Sequence, residues 1–217
     1  MELRTAILVD GGFYRKRAYY FWGDIGPRNR ANELEEYCKK HIKKGTEQRS
    51  LYRIFYYDCP PIQSKIYHPL YKKTVDLSKT DMYTWSNDFF EELKHRRKFA
   101  LRLGELATEQ VKYNLKPDIT KKLLNGNAEL SSLTANDFIL NVTQKGVDMK
   151  IGIDIASLSY KKQVDQIVLI AGDSDFVPAA KLARREGIDF ILDNMRSPIK
   201  DSLFEHIDGI RTFAPNK

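Results

Sequence analysis

The sequence predicts an α/β fold on a mostly parallel sheet, and three observations carry that expectation. Residues 166–171 (QIVLIA) form an apolar run of strand length, bounded by Lys, Gln and Asp before it and by Gly172 after it, as in a strand buried on both faces. Residues 5–9 (TAILV) form a second such run, which ends in Asp10, Gly11 and Gly12. Stretches of strand character then alternate with stretches of helical period along the chain, the order that builds β-α-β units.

Taken in order, Gly11 and Gly12 permit a tight turn, and Phe13, Arg17 and Tyr20 follow at helical spacing. A second helix is expected over 31–44, with Leu34, Tyr37, Cys38 and Ile42 as its apolar stripe. Residues 51–57 (LYRIFYY) read as a strand stopped by Asp58, Cys59, Pro60 and Pro61, with Asp58 read as a turn former. The polar, weakly periodic stretch 62–85 predicts an irregular insertion, and 87–98 a helix with a basic end. Together they form an inserted irregular and helical segment, or lid, at about 60–98 of a single domain spanning 1–217.

Beyond it, 99–104 (FALRLG) alternates as a strand, 116–127 holds a short helix closed by Asn125 and Gly126, and 137–144 (DFILNVTQ) alternates again. Residues 147–160 fit both periods. Their length and the strand that follows select a crossover helix, with Asp148 in its first turn on the face turned to the sheet and Asp154 about a third of a turn around. Val177, Ala180, Leu182 and Ala183 predict a helix closed by Gly187. A strand over 188–192 ending at Asp193 and Asn194, a last helix over 197–206 and an edge strand over 209–213 complete the chain.

The 217 residues suffice for one full core, and no apolar run approaches a membrane span. MELRTAILVDGG lacks the long apolar core and cleavage site of a signal peptide. Cys38 and Cys59 show neither metal spacing nor a disulfide pattern, so a reducing, cytoplasmic setting is expected. The net charge of +7 suits a polyanionic partner. Arg15 and Arg17 just beyond Asp10, and Arg96 and Arg97 at a helix end, are candidate phosphate contacts, although a solvated helix face explains the same residues. Tyr67, Tyr71, Tyr83 and Trp85 among lysines suit stacking of single-stranded bases, and equally the anchoring of a long loop.

Ligands of open parallel sheets bind beyond the carboxyl ends of the strands, where strand order reverses. If the two acid-ended strands are neighbours, Asp10, Asp173 and Asp175 converge there. Asp173 as a helix cap with Asp175 complementing the dipole explains that pair alone; a second strand-ending acid favours a cation between them.

LVDGGF, QKGVD followed by Asp154, and IAGDSDFVPAAKLARREG together resemble the NYN domain family, PIN-like nucleases that include LabA-like bacterial proteins. The resemblance covers most of the chain. It implies a Rossmann-like (PIN-like) α/β/α sandwich and a metal-dependent ribonuclease site at Asp10, Asp148, Asp173 and Asp175, with Asp154 matching a further acid. Phe13 stands where many relatives carry Asn after the first strand. Oxygen donors without nearby His or Cys suit Mg²⁺ or Mn²⁺. Lys145 would neutralise the RNA phosphate and Ser174 would donate to it. Two other readings compete: a non-catalytic RNA-binding or protein-interaction module whose acids hold metal, and a haloacid-dehalogenase-like phosphatase. The last is disfavoured by Gly12, where that chemistry wants a second Asp.

Overall fold

The computed structural model describes residues 2–43, 48–107 and 111–216. The chain opens with strand β1 (Leu3–Asp10), helices α1 (Gly11–Trp22) and α2 (Pro27–Lys43) and strand β2 (Arg49–Asp58). Strands β3 (Lys65–His68) and β4 (Lys73–Asp76) precede helix α3 (Asp81–Lys94) and strand β5 (Phe99–Leu103). Strands β6 (Glu105–Leu106) and β7 (Lys112–Leu115), helix α4 (Pro117–Leu124), and strands β8 (Phe138–Asn141) and β9 (Gln144–Lys145) follow. The chain returns through α5 (Val147–Tyr160), β10 (Gln166–Ile170), α6 (Val177–Arg185), β11 (Asp189–Asp193), α7 (Asp201–Phe204) and β12 (Gly209–Ile210).

Six parallel strands form the central sheet in the order β12-β11-β10-β1-β2-β5. The chain builds outward from β1 through β2 and β5, then crosses to the other side of β1 for β10. Strand order therefore reverses between β1 and β10. Side chains alternate across the sheet. Ala6 and Leu8 of β1 join the core formed with α5, α6 and α7, whereas Ile7 and Val9 join the core formed with α1, α2 and α3. The result is an α/β/α sandwich. Full burial of such aliphatic side chains contributes about 1.5–3 kcal/mol each, which makes β1 and β10, buried on both faces, the strongest anchors of the sheet.

Local chemistry sets the element ends. Asp10 is extended and accepts from Phe13 N (3.1 Å), so the strand-ending acid also starts α1. Gly11 lets that helix approach β2: a Cβ there would lie 2.5 Å from the Tyr56 ring and 2.6 Å from the Tyr57 carbonyl oxygen. At the start of α5, Gly146 has φ of 80°, a left-handed conformation suited to glycine.

Three expectations are redrawn. Helix α3 begins at Asp81, and Phe89, Phe90 and Leu93 lie in the core, so this part of the expected lid belongs to the sandwich. Only the β3–β4 hairpin within 60–98 stands outside the main sheet. A second excursion lies between β5 and α5, held by the antiparallel pairs β6–β9 and β7–β8. The last helix is confined to Asp201–Phe204, because Pro198 cannot donate into a helix and Lys200 is extended. Among the described residues no helix is long and apolar enough to cross a membrane. Cys38 and Cys59 are buried free thiols.

Candidate active site

The carboxyl edge of the sheet gathers the acids. Val9 is level with Ile170 in the β1–β10 pairing, so Asp10 stands beside Ala171, with Asp173 two residues further along the neighbouring chain. A cleft of about 310 Å³ opens at this point of strand reversal, lined by Asp10, Phe13, Gly172, Asp173, Ser197 and Lys200. Asp148, in the first turn of α5, is exposed and near enough for its charge to act on Asp10, not turned onto the sheet as its helical face suggested; Val147, Ile151 and Ile155 cover the sheet instead.

The acids act on one another. Burial pushes the Asp10 carboxyl up to about 6; the Phe13 backbone hydrogen bond opposes this, while the charges of Asp148 and Asp58 add to it. Asp148 is raised too, first by burial and then by Asp173 and Asp175. Asp173 Oδ1 accepts from Asp175 N at 3.1 Å, which folds the turn between them and holds both exposed carboxylates after β10. Among the described residues none of these four is in an ion pair.

That donor set fits a hard divalent cation by its chemistry: oxygen only, like-charged and without an ion-pair partner among the described residues. Its spacing is looser. No group of three or more His, Cys, Asp or Glu that could hold a metal ion is present among the described residues. The four acids are coupled through their fields without forming a closed cage.

Other expected site residues are placed elsewhere. Asp154 accepts from Tyr57 Oη (2.8 Å) and Arg102 Nε (3.1 Å), which ties α5 to β2 and β5 and neutralises it. Arg15 is held by Asp58, with Nη2 3.0 Å from Oδ2 and 3.1 Å from Oδ1. Asp58 is thus a buried ion-pair partner as well as a strand end, raised by burial and lowered by Arg15. Arg17 donates from Nε and Nη2 to the Met195 carbonyl (3.0 and 2.7 Å) with its guanidinium over Tyr20 and Phe21, and so fastens the loop after β11.

Arg96 pairs with Glu35 and donates to Asn32 Oδ1 at 2.6 Å, joining α3 to α2. Arg96 and exposed Arg97 immediately precede β5, hence lie at the amino edge of the parallel sheet, opposite the acids. Their expected role as phosphate contacts is therefore one at the far edge of the sheet from Asp10 and Asp173. Lys145 is exposed two residues before α5. The Ser174 side chain lies outside the described part of the structure. Trp85 donates Nε1 to the Ile25 carbonyl (3.0 Å) and stacks on Phe89, a core role, whereas Tyr67 and Tyr71 remain exposed.

Sequence reasoning missed Lys200, a cation in the cleft wall, because only the fold brings the segment after β11 beside Asp10. It flagged Phe13 without a role. In the structure the Phe13 ring lies over Gly172, where a Cβ would come within 2.4 Å of it.

With this geometry in place, comparison with known proteins gives three results. The NYN domain model matches residues 81–205, a span that includes Asp148, Asp173 and Asp175 but begins after Asp10. No curated protein matches the chain. Among solved structures, a protein of unknown function from Vibrio parahaemolyticus aligns over 98% of this chain and 93% of its own, at 14% identity and a TM-score of 0.47.

Proposed function

Because the chain belongs to the NYN domain family, we propose that it is a metal-dependent ribonuclease hydrolysing phosphodiester bonds of RNA in single-stranded or looped regions. One observation supports the reading: Asp10 and Asp173 line one cleft at the strand-order reversal, the charge of Asp148 acts on Asp10 and those of Asp173 and Asp175 on Asp148, and none of the four is in an ion pair among the described residues. A protein gains nothing in stability from such an arrangement, and a divalent cation offsets its cost.

Asp10, Asp148, Asp173 and Asp175 would hold Mg²⁺ or Mn²⁺. A bound ion of this kind polarises a phosphoryl oxygen and activates water for attack on phosphorus. The chain's own residues do the rest. The Asp10 carboxylate, fixed by the Phe13 amide, points its charge into the cleft from a rigid strand end. Lys200 on the cleft wall attracts the phosphate, and Lys145 near the start of α5 offers a second cation. Phe13 over Gly172 gives the cleft an apolar wall that displaces water from one side of the bound phosphate.

The test separates binding from turnover. Asp10→Asn, Asp148→Asn, Asp173→Asn and Asp175→Asn are each expected to cut cleavage of a mixed RNA pool with Mn²⁺ by roughly a hundredfold or more, while RNA retention stays equal or tightens as repulsion falls. Asp154→Asn, already neutralised by Arg102, should cost far less. Chelator should abolish cleavage by the parent protein. Parent-level cleavage by Asp173→Asn overturns the nuclease reading, and retained RNA binding would then favour a non-catalytic RNA-binding module.

A further inference from the structure

Beside the acid edge lies a second, larger cavity of about 520 Å³, between α3 and the inserted strands. Its wall includes Arg15, Asp58, Met82, Tyr83, Tyr113 and Ile139. The volume is that of a small-ligand site, and its mouth carries apolar side chains that the fold leaves in water: Met82 is 76% and Ile139 51% exposed.

The cavity adjoins the acid edge at Asp58, a buried residue of its wall. Asp10 is level with Tyr57 in the β1–β2 pairing, so Asp58 stands one residue beyond it on the adjacent strand, and neighbouring strands lie about 4.8 Å apart. The charge of Asp58 acts directly on Asp10. Its partner Arg15 is fixed by that ion pair, so the guanidinium at the cavity wall is held in place before any ligand arrives.

We infer that this cavity receives one unstacked nucleobase of the single-stranded RNA whose phosphate lies at Asp10 and Asp173. This rests on the ribonuclease reading for the position of that phosphate. An apolar cavity with a tyrosine wall and a held arginine suits a flat, uncharged base, because bases leave water for aromatic faces and guanidinium planes while their phosphates stay with the cations. Lys200 in the neighbouring cleft supplies such a cation. Tyr83 is the stacking face: it is half-buried on the first turn of α3, and no ring contact to it is present among the described residues. Tyr113 is already packed on His68, with ring centroids 4.3 Å apart, and serves as the back wall.

The experiment is an abasic walk. Binding of a short single-stranded oligoribonucleotide is measured in chelator, so that cleavage plays no part, with a single abasic residue moved along the strand. For the parent protein, one position should weaken binding about tenfold when its base is missing. Tyr83→Ala should bind the intact strand about tenfold more weakly and lose the dependence on that position. Ile139→Trp, which fills the mouth from an exposed strand position, should do the same while melting as the parent does. A flat walk for a parent protein that binds the intact strand overturns the inference and leaves the nuclease reading standing. Position-dependent binding without Mn²⁺-dependent cleavage upholds the base site and overturns the nuclease reading instead. Position dependence that persists in both variants places the base elsewhere and also overturns the inference.

Discussion

Asp10 carries two duties that conflict. Its side chain starts α1, yet burial and two neighbouring charges hold its carboxyl at about 6, above its ordinary value of 3.8. A carboxyl raised on folding contributes stability that is fully present below about pH 3.8 and is lost as pH rises through 6. In metal-free protein the loss is at most about 3 kcal/mol, since each tenfold change in proton affinity is worth about 1.4 kcal/mol. Asparagine keeps the cap and removes the charge. Asp10→Asn should therefore melt several degrees higher than the parent at pH 8 in chelator, with the gap closing by pH 4. Mn²⁺ should then raise the parent at pH 8 more than the variant. A gap independent of pH would mean that Asp10 is not crowded by charge. The acids themselves were legible in the sequence, because a carboxylate just beyond an apolar strand announces its position. The neutralisation of Asp154 and the anchoring of Arg15 and Arg17 were not. Their partners, Arg102, Asp58 and the Met195 carbonyl, lie 52, 43 and 178 residues away, and no local pattern encodes such pairs.

At the scale of elements, periodicity sufficed where burial is one-sided or complete. The helix over 147–160 was chosen over a strand and forms over Val147–Tyr160, and β1, β2, β10 and β11 fall within two residues of their expected limits. Over 105–145 it found the helix at Pro117–Leu124 and the strand at Phe138–Asn141 but not β6, β7 and the pairings, since pairs such as β6–β9 join residues up to 40 apart in antiparallel strands of two to four residues. Such short strands carry too few alternations to read. It also missed the first six residues of α3, which opens on a Thr80 cap (Tyr83 N to Oγ1, 3.3 Å). The contact most sensitive to substitution is that of α1 on β2 at Gly11. A methyl there meets both a ring and backbone, so Gly11→Ala should cost about 1–3 kcal/mol by overpacking, read as a lower denaturant midpoint. Because Asp10 is the adjacent residue, cleavage should fall more than RNA retention does. An unchanged midpoint would show that α1 can slide.

Over the whole molecule, the +7 charge is spread across a surface whose carboxyl edge is acidic. Only cations at that edge share in the phosphate contacts proposed above, and the fold distinguishes them from cations elsewhere. Lys200→Gln should lower the slope of log affinity against log salt by about 1, as expected for one lost phosphate contact. Arg97→Gln, at the opposite edge, should leave the slope unchanged. Equal effects of the two would mean that RNA wraps the protein without regard to the cleft. The sequence could count these charges, but could not say which end of the sheet each one occupies.

Strand order also has a consequence for how the protein comes into being. β1 is made before both of its partners and pairs on one side with β2 soon after, while its other partner, β10, is complete only at residue 170. Between Asp10 and Asp173 lie 163 residues of synthesis (173 − 10), roughly 10–30 s at the usual pace of a ribosome. For most of that interval the nascent chain has half a sheet, and Asp10 stands without Asp173 and Asp175. Release before β10 leaves a fragment without Asp173 and Asp175, so the acidic site cannot assemble until the turn after β10 has been synthesised.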